Sequence, residues 1–143
     1  MEVKIKKLRD GFELPKKSFD SDACFDVKVL YVEWTQRTAI CYLGFATEIP
    51  IGWKGVIVPR SSITKTDWVM QNSPGQVDSH YRGEWQVRFK YIGNGYNDES
   101  PFKVGDRIAQ IFFERVNDVF FFEVDELGST ERSDGGFGST GRS

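Results

Sequence analysis

Phe25-Asp26-Val27-Lys28-Val29 alternates apolar with charged residues. A period of two puts the apolar set on one face of an extended chain and the charged set on the other, as in a half-buried β-strand. Val3-Lys4-Ile5-Lys6 repeats the pattern upstream. Further β-like runs occupy residues 39–47, 55–58, 84–91, 107–113 and 119–124. Turn residues cluster between them, at Pro50-Ile51-Gly52, Asn72-Ser73-Pro74-Gly75, Gly93-Asn94-Gly95 and Lys103-Val104-Gly105-Asp106. Many short strands at this spacing predict an all-β sandwich or barrel. Only residues 62–69 could coil into a short helix, and no internal repeat is visible.

A chain of 143 residues can build one core but not two. Aromatic residues make up 15%, with twelve Phe, which predicts either a thick aromatic core or faces buried against other subunits. The net charge of −2 comes without a Lys/Arg cluster, which argues against binding nucleic acid. No apolar run approaches the ~20 residues of a membrane helix, and residues 1–10 lack a signal-peptide core. The expectation is a soluble, cytoplasmic domain that binds neither nucleic acid nor membrane. His80 is the only histidine, so a metal held by several imidazoles is excluded. Cys24 and Cys41 could form one disulfide but no zinc site. All three are assigned to structure or surface.

Residues 128–143 differ in kind, with Gly128, Gly135, Gly136, Gly138 and Gly141 set among Ser, Thr, Arg and Asp. Such a segment buries too little apolar surface to order itself. Phe137, alone among the glycines, suggests that the tail meets something. The division expected is a folded domain over residues 1–127 and an arm over 128–143. Gly136, Gly138 and Gly141 spell GxGxxG, but only two residues follow, so no helix can cradle a dinucleotide there. Exposed backbone N–H groups beside Arg132, Ser139 and Thr140 can still wrap a phosphate.

Pro59-Arg60-Ser61-Ser62 combines hydroxyls, amides and a guanidinium at a strand end, either a phosphate cradle or a polar turn. Gln110 stands among Ile108, Ala109, Ile111 and Phe112, and a polar group there must find partners if buried. Asp26 raises the same question within its strand. Asp78 follows the Asn-Ser-Pro-Gly turn closely enough to serve either structure or chemistry.

Taken in order, Asp22-Ala23-Cys24-Phe25-Asp26, Pro59-Arg60-Ser61-Ser62, Gly75-Gln76-Val77-Asp78-Ser79-His80-Tyr81-Arg82-Gly83, Gly105-Asp106-Arg107-Ile108-Ala109-Gln110 and Arg132-Ser133-Asp134-Gly135-Gly136-Phe137-Gly138-Ser139-Thr140-Gly141 form a series. It resembles the five motifs of the trimeric dUTP pyrophosphatases, in the family's order and roughly its spacing. With Leu14-Pro15 ahead of the first motif, the resemblance runs from residue 14 to 141. Departures from the family pattern are Cys24 for a common Gly, His80 for a frequent Asp and Ser133 for a frequent Gly.

The resemblance implies a homotrimer of jelly-roll subunits whose active sites are each built from three chains, the C-terminal arm of one closing over a site. The implied reaction is hydrolysis of dUTP to dUMP and pyrophosphate, which limits uracil in DNA and supplies dUMP for dTMP synthesis. By the same resemblance Asp78 is the general base for water attack on the α-phosphorus, since an ionised aspartate can accept the proton. Mg²⁺ rides mainly on the triphosphate, with Asp26 holding it through water. Arg60, Ser61, Ser62 and Gln110 match contacts to the phosphate chain. Arg132, Ser139 and Thr140 match the arm's grip on the γ-phosphate, while Phe137, next to Gly138, matches the residue that stacks on uracil. The hairpin with Asn72, Gly75 and Val77 would read uracil through backbone groups, and Tyr81 would pack under the deoxyribose. Two alternatives stand beside this: a nucleotide-sensing protein on the same fold, and a dCTP deaminase. The latter would need a Glu base in the strand after the third motif, where Glu84 is the only carboxylate.

Overall fold

A computed structural model gives the structure of the protein and describes residues 1–96 and 98–136. Ten strands form among these: β1 (Lys4–Lys7), β2 (Phe25–Lys28), β3 (Tyr31–Trp34), β4 (Thr38–Tyr42), β5 (Phe45–Glu48), β6 (Trp53–Pro59), β7 (Trp68–Met70), β8 (Gly75–Val77), β9 (Gln86–Tyr91) and β10 (Arg107–Arg115). One four-stranded sheet runs β2-β10-β6-β8, a second β3-β4-β9-β7, and β1 pairs with β5. Every pairing is antiparallel. The protein is therefore all-β, as the alternation predicts.

The alternation also sets what each face meets. In β4 and β9, Ala39, Cys41, Val87 and Phe89 turn inward, toward Val27, Ile57, Ala109 and Ile111 of the facing sheet. Part of the aromatic excess is core: Phe45, Trp85 and Phe89 are fully buried, and the Phe45 and Trp85 rings lie 5.5 Å apart. Truncating a core aromatic of this kind costs about 3–5 kcal/mol, the transfer term plus the cavity left behind. Buried Thr47 accepts the Trp85 indole N–H at 3.0 Å, so the one polar group in that wall is satisfied.

Three expectations change. Residues 39–47 form two strands, because Gly44 adopts φ +77 between β4 and β5. A side chain at Gly44 would also run into Leu30. The apolar run is continuous because both sides of this corner are buried. Residues 62–69 form no α-helix. A 3₁₀ turn over Ser61–Lys65 bonds the Thr64 and Thr66 hydroxyls back to the Ser61 and Ile63 carbonyls, and Trp68 then enters β7 opposite Tyr91 of β9.

Residues 119–124 form no strand either. Phe120, Phe121 and Phe122 are 93%, 98% and 88% exposed. A strand exists only with a partner ladder, and among the described residues the segment has none. No helix among the described residues is long and apolar enough to cross a membrane.

Candidate active site

A register shift in β10 sets up one cavity. Opposite β2 the pairing slips between Arg107 and Ala109, so Ile108 and Ala109 are both buried. Gln110 then stands directly across from Asp26 of β2 on one side and Val58 of β6 on the other. Beyond β6 come Arg60 and the 3₁₀ turn with Ser61. Asp26, Arg60, Ser61 and Gln110 thereby line one cavity of about 340 Å³, with Asp22 and Cys24 in its wall. Ser62 is exposed on the next position of the turn and lies outside this lining.

Both oxygens of Asp26 are engaged. Oδ1 meets Arg60 Nε at 2.9 Å and Oδ2 meets Arg107 Nη1 at 3.1 Å, with the carboxylate only 15% exposed. Gln110 Nε2 donates to the Pro59 carbonyl at 3.4 Å, which answers the question of its partner. No cluster of three or more His, Cys, Asp or Glu side chains forms a metal cage among the described residues. The hard oxygen donors of Asp22 and Asp26 are of the kind that suits a divalent cation, with one Asp26 guanidinium to be displaced first.

A second cavity lies at the hairpin of β8. Gly75 pairs with Ile57, and Val77 with Gly55 of β6. A side chain at Gly75 would press on Ile57 and on the Asn72 carbonyl, so the turn closes only with glycine. The Ser73–Pro74 peptide is cis. Asn72 spends its side chain on β9, donating Nδ2 to the Gln86 carbonyl at 3.1 Å and accepting the Arg88 N–H on Oδ1 at 2.9 Å. Its side chain pins the hairpin, and backbone is left to face a ligand. Asn72, Gly75, Val77, Asp78 and Tyr81 line a cavity of about 190 Å³. Pockets that enclose a drug-sized ligand run to ~300–1,000 Å³. This one fits a base, not a nucleotide.

Sequence reasoning missed Ile57, Gln76, Trp85 and Gln86 in the lining of this cavity, and Ser18 in the other. Their side chains carry no chemical signature, and only pairing brings them there. Glu84 also lines the base cavity, but Arg9 and the Gly44 N–H hold its carboxylate. That leaves it ill placed to serve as a deaminase base.

The two cavities share no lining residue. Arg132 reaches neither: its Nε donates to the Gly135 carbonyl at 2.9 Å within its own turn. Phe137, Gly138, Ser139 and Thr140 lie outside the described residues.

Both cysteines are free. Burial pushes the Cys41 thiol up to about 12, and burial also raises half-buried Cys24. Only the thiolate reacts, so Cys41 stays inert near neutrality and Cys24 labels slowly, faster as pH rises. Iodoacetamide on the native protein is expected to add one group, at Cys24 by peptide mass, and to cost most of the turnover because that thiol lines the cavity with Arg60. Labelling of Cys41 first would contradict the burial pattern.

A model of the dUTPase family matches residues 10–141. The deoxyuridine 5′-triphosphate nucleotidohydrolase of Fusobacterium nucleatum subsp. nucleatum is 35% identical over 146 residues, covering 98% of each chain. That of Corynebacterium glutamicum is 35% identical over 145 residues, covering 98% of this chain and 95% of its own. Among solved structures, Staphylococcus bacteriophage 80alpha dUTPase with dUPNHPP superposes with a TM-score of 0.81 over 99% of both chains at 24% identity. A mutant dUTPase from phage phi11 of S. aureus, described as coordinating a structural Mg(II) ion, superposes with a TM-score of 0.74 over 90% of this chain and all of its own, at 21% identity. By its sequence, end to end, this chain belongs to the dUTPase family.

Proposed function

We propose that this chain hydrolyses dUTP to dUMP and pyrophosphate, at sites shared between the three copies of a jelly-roll homotrimer. The observation that carries the reading is the division of the site residues. A base-sized cavity with a carboxylate at Asp78 and a cation-bearing cavity with Arg60, Ser61 and Gln110 occupy separate places on one protomer. The base cavity is too small for a whole nucleotide and the phosphate-binding candidates line the other one, so a facing copy supplies the missing half. The exposed Phe120-Phe121-Phe122 run supports such an assembly, because an apolar surface of that kind on a folded protein is normally covered by a partner.

In the assembled site, backbone groups of residues 72–78 read the uracil edge, and the tight turn leaves no room for a methyl group on the base. Asp78 accepts a proton from the water that attacks the α-phosphorus. Arg60, Ser61 and Gln110 hold the phosphate oxygens, where guanidinium and hydroxyl donors stabilise charge as it builds. Mg²⁺ carried on the triphosphate would neutralise its negative charge. Asp26 would hold that ion through water, exchanging an arginine for it. The arm of residues 128–143, with Arg132, Phe137, Gly138, Ser139 and Thr140, closes over a site on the assembly. Released dUMP can feed dTMP synthesis while dUTP is kept out of DNA.

The test is pyrophosphate release by purified protein with Mg²⁺ from dUTP, dTTP, dCTP and UTP in parallel. Release from dUTP alone, abolished by a chelator, is the expected result. Binding of dUTP without release would put the nucleotide-sensing role in its place.

Tyr81 is half exposed at the edge of the base cavity. Tyr81→Ala is expected to raise UTP hydrolysis relative to dUTP, measured as the ratio of kcat/KM values. An unchanged ratio would remove Tyr81 from sugar selection.

A further inference from the structure

We infer that Arg9 and Glu84 are positioning residues that fix Tyr81, and through it the exclusion of a 2′-hydroxyl on the sugar. This deepens the proposed function and rests on it. Glu84 lies two residues before β9 begins and is only 15% exposed at its side chain. Its Oε1 accepts Arg9 Nε at 2.6 Å and the Gly44 N–H at 2.8 Å, and its Oε2 accepts Arg9 Nη2 at 2.9 Å. A planar guanidinium meeting a carboxylate in this forked way fixes orientation as well as distance.

Arg9 is itself held. Its guanidinium carbon lies 4.9 Å from the Tyr42 ring centre and 5.1 Å from that of Tyr31. The neighbouring backbone is stitched to the same corner, with Leu43 N–H donating to the Trp85 carbonyl and Trp85 N–H to the Phe45 carbonyl. Most exposed ion pairs contribute little. This one is part-buried, forked and tied to a third N–H, so it holds the Glu84 backbone in place.

That backbone in turn holds Tyr81. The Tyr81 hydroxyl donates to the Glu84 carbonyl at 3.2 Å. Its ring lies so close over Gly83 that a side chain there would collide with the hydroxyl. Tyr81 is otherwise half exposed, on a turn closed by its own N–H donating to the Asp78 carbonyl at 3.0 Å. Steric rejection of a single hydroxyl depends on small displacements of the ring. A fork made with a residue 75 positions earlier therefore acts on sugar choice, although Arg9 itself does not line the base cavity.

The experiment compares kcat/KM for dUTP and UTP in the unaltered chain and in Arg9→Met, Arg9→Lys, Tyr81→Phe and the Arg9→Met/Tyr81→Phe double variant. Arg9→Met is expected to lower the dUTP preference about five- to tenfold, the effect of losing roughly one net hydrogen bond. Arg9→Lys, which keeps the charge but not the fork, should lose most of the same preference. The double variant should match Tyr81→Phe alone, since both changes act through one hydroxyl contact. Equal loss on both substrates in Arg9→Met, or losses that multiply in the double variant, would overturn the inference and leave the pair a stabilising contact. Arg9→Lys decides the matter if Arg9→Met fails to fold. Unaltered protein that does not hydrolyse dUTP would refute the function itself, whereas active protein with a preference indifferent to Arg9 refutes only this role.

Discussion

Asp78→Asn is expected to cut dUTP turnover by the ~10²–10⁴ typical of a lost general base, and to leave nucleotide binding near that of the unaltered chain. Asparagine keeps the shape of the side chain but cannot take a proton. Asp78 follows β8 directly, exposed at the edge of the base cavity, where water can reach it. The hairpin that orients it is built from β6 pairing, from the glycine at position 75 and from the Asn72 bonds to β9, none of which involves the carboxylate. Turnover should therefore fall without loss of fold or of uracil binding. Single-turnover rates and titration with a non-hydrolysable dUTP analogue separate the two. Near-normal turnover would remove Asp78 from the mechanism.

Deleting residues 129–143 is expected to lower turnover comparably while the protein keeps its assembled size. The described part of this segment is exposed from residue 129 to 134, and its contacts are local: Arg132 to Gly135, and the Ser133 N–H to Thr130. Its described residues add nothing to the core, so losing the segment should not unfold the domain. What it would remove is the arm's cation and aromatic ring. A π-stack on a base is worth roughly 1–3 kcal/mol by substitution, and closure also excludes water from the phosphates. Sizing chromatography beside turnover checks both halves. Dissociation on truncation would make the arm structural.

The sequence made the fold class legible because two-residue alternation reports a face directly, as in β2, β4 and β9. It was less legible wherever the fate of a run depended on a distant partner. Residues 39–47 read as one strand, since burial on both sides of the Gly44 corner erases the break. Residues 119–124 have the composition of a strand, yet pairing needs a ladder that no described segment provides. The site shows the same limit. Ordered motifs pointed to Asp78, Arg60 and Gln110 as candidates, but nothing in their spacing told that they fall into two cavities. Nor could it tell that two arginines occupy Asp26, or that Arg9 reaches Glu84. Those facts follow from the β10 register shift and from side chains meeting across the fold.

The most direct measurement is complementation between two defective chains, Asp78→Asn and Arg60→Ala, each assayed for dUTP turnover alone and after co-expression. Each alone should be nearly inactive. If sites are shared between copies, some sites of a mixed assembly pair an intact hairpin from one chain with an intact Arg60 from the other. Sites shared between copies therefore predict recovery to about a quarter of normal turnover for random mixing. Turnover of the mixture no higher than that of either variant alone would show that each site lies within a single chain, and would contradict the shared-site mechanism.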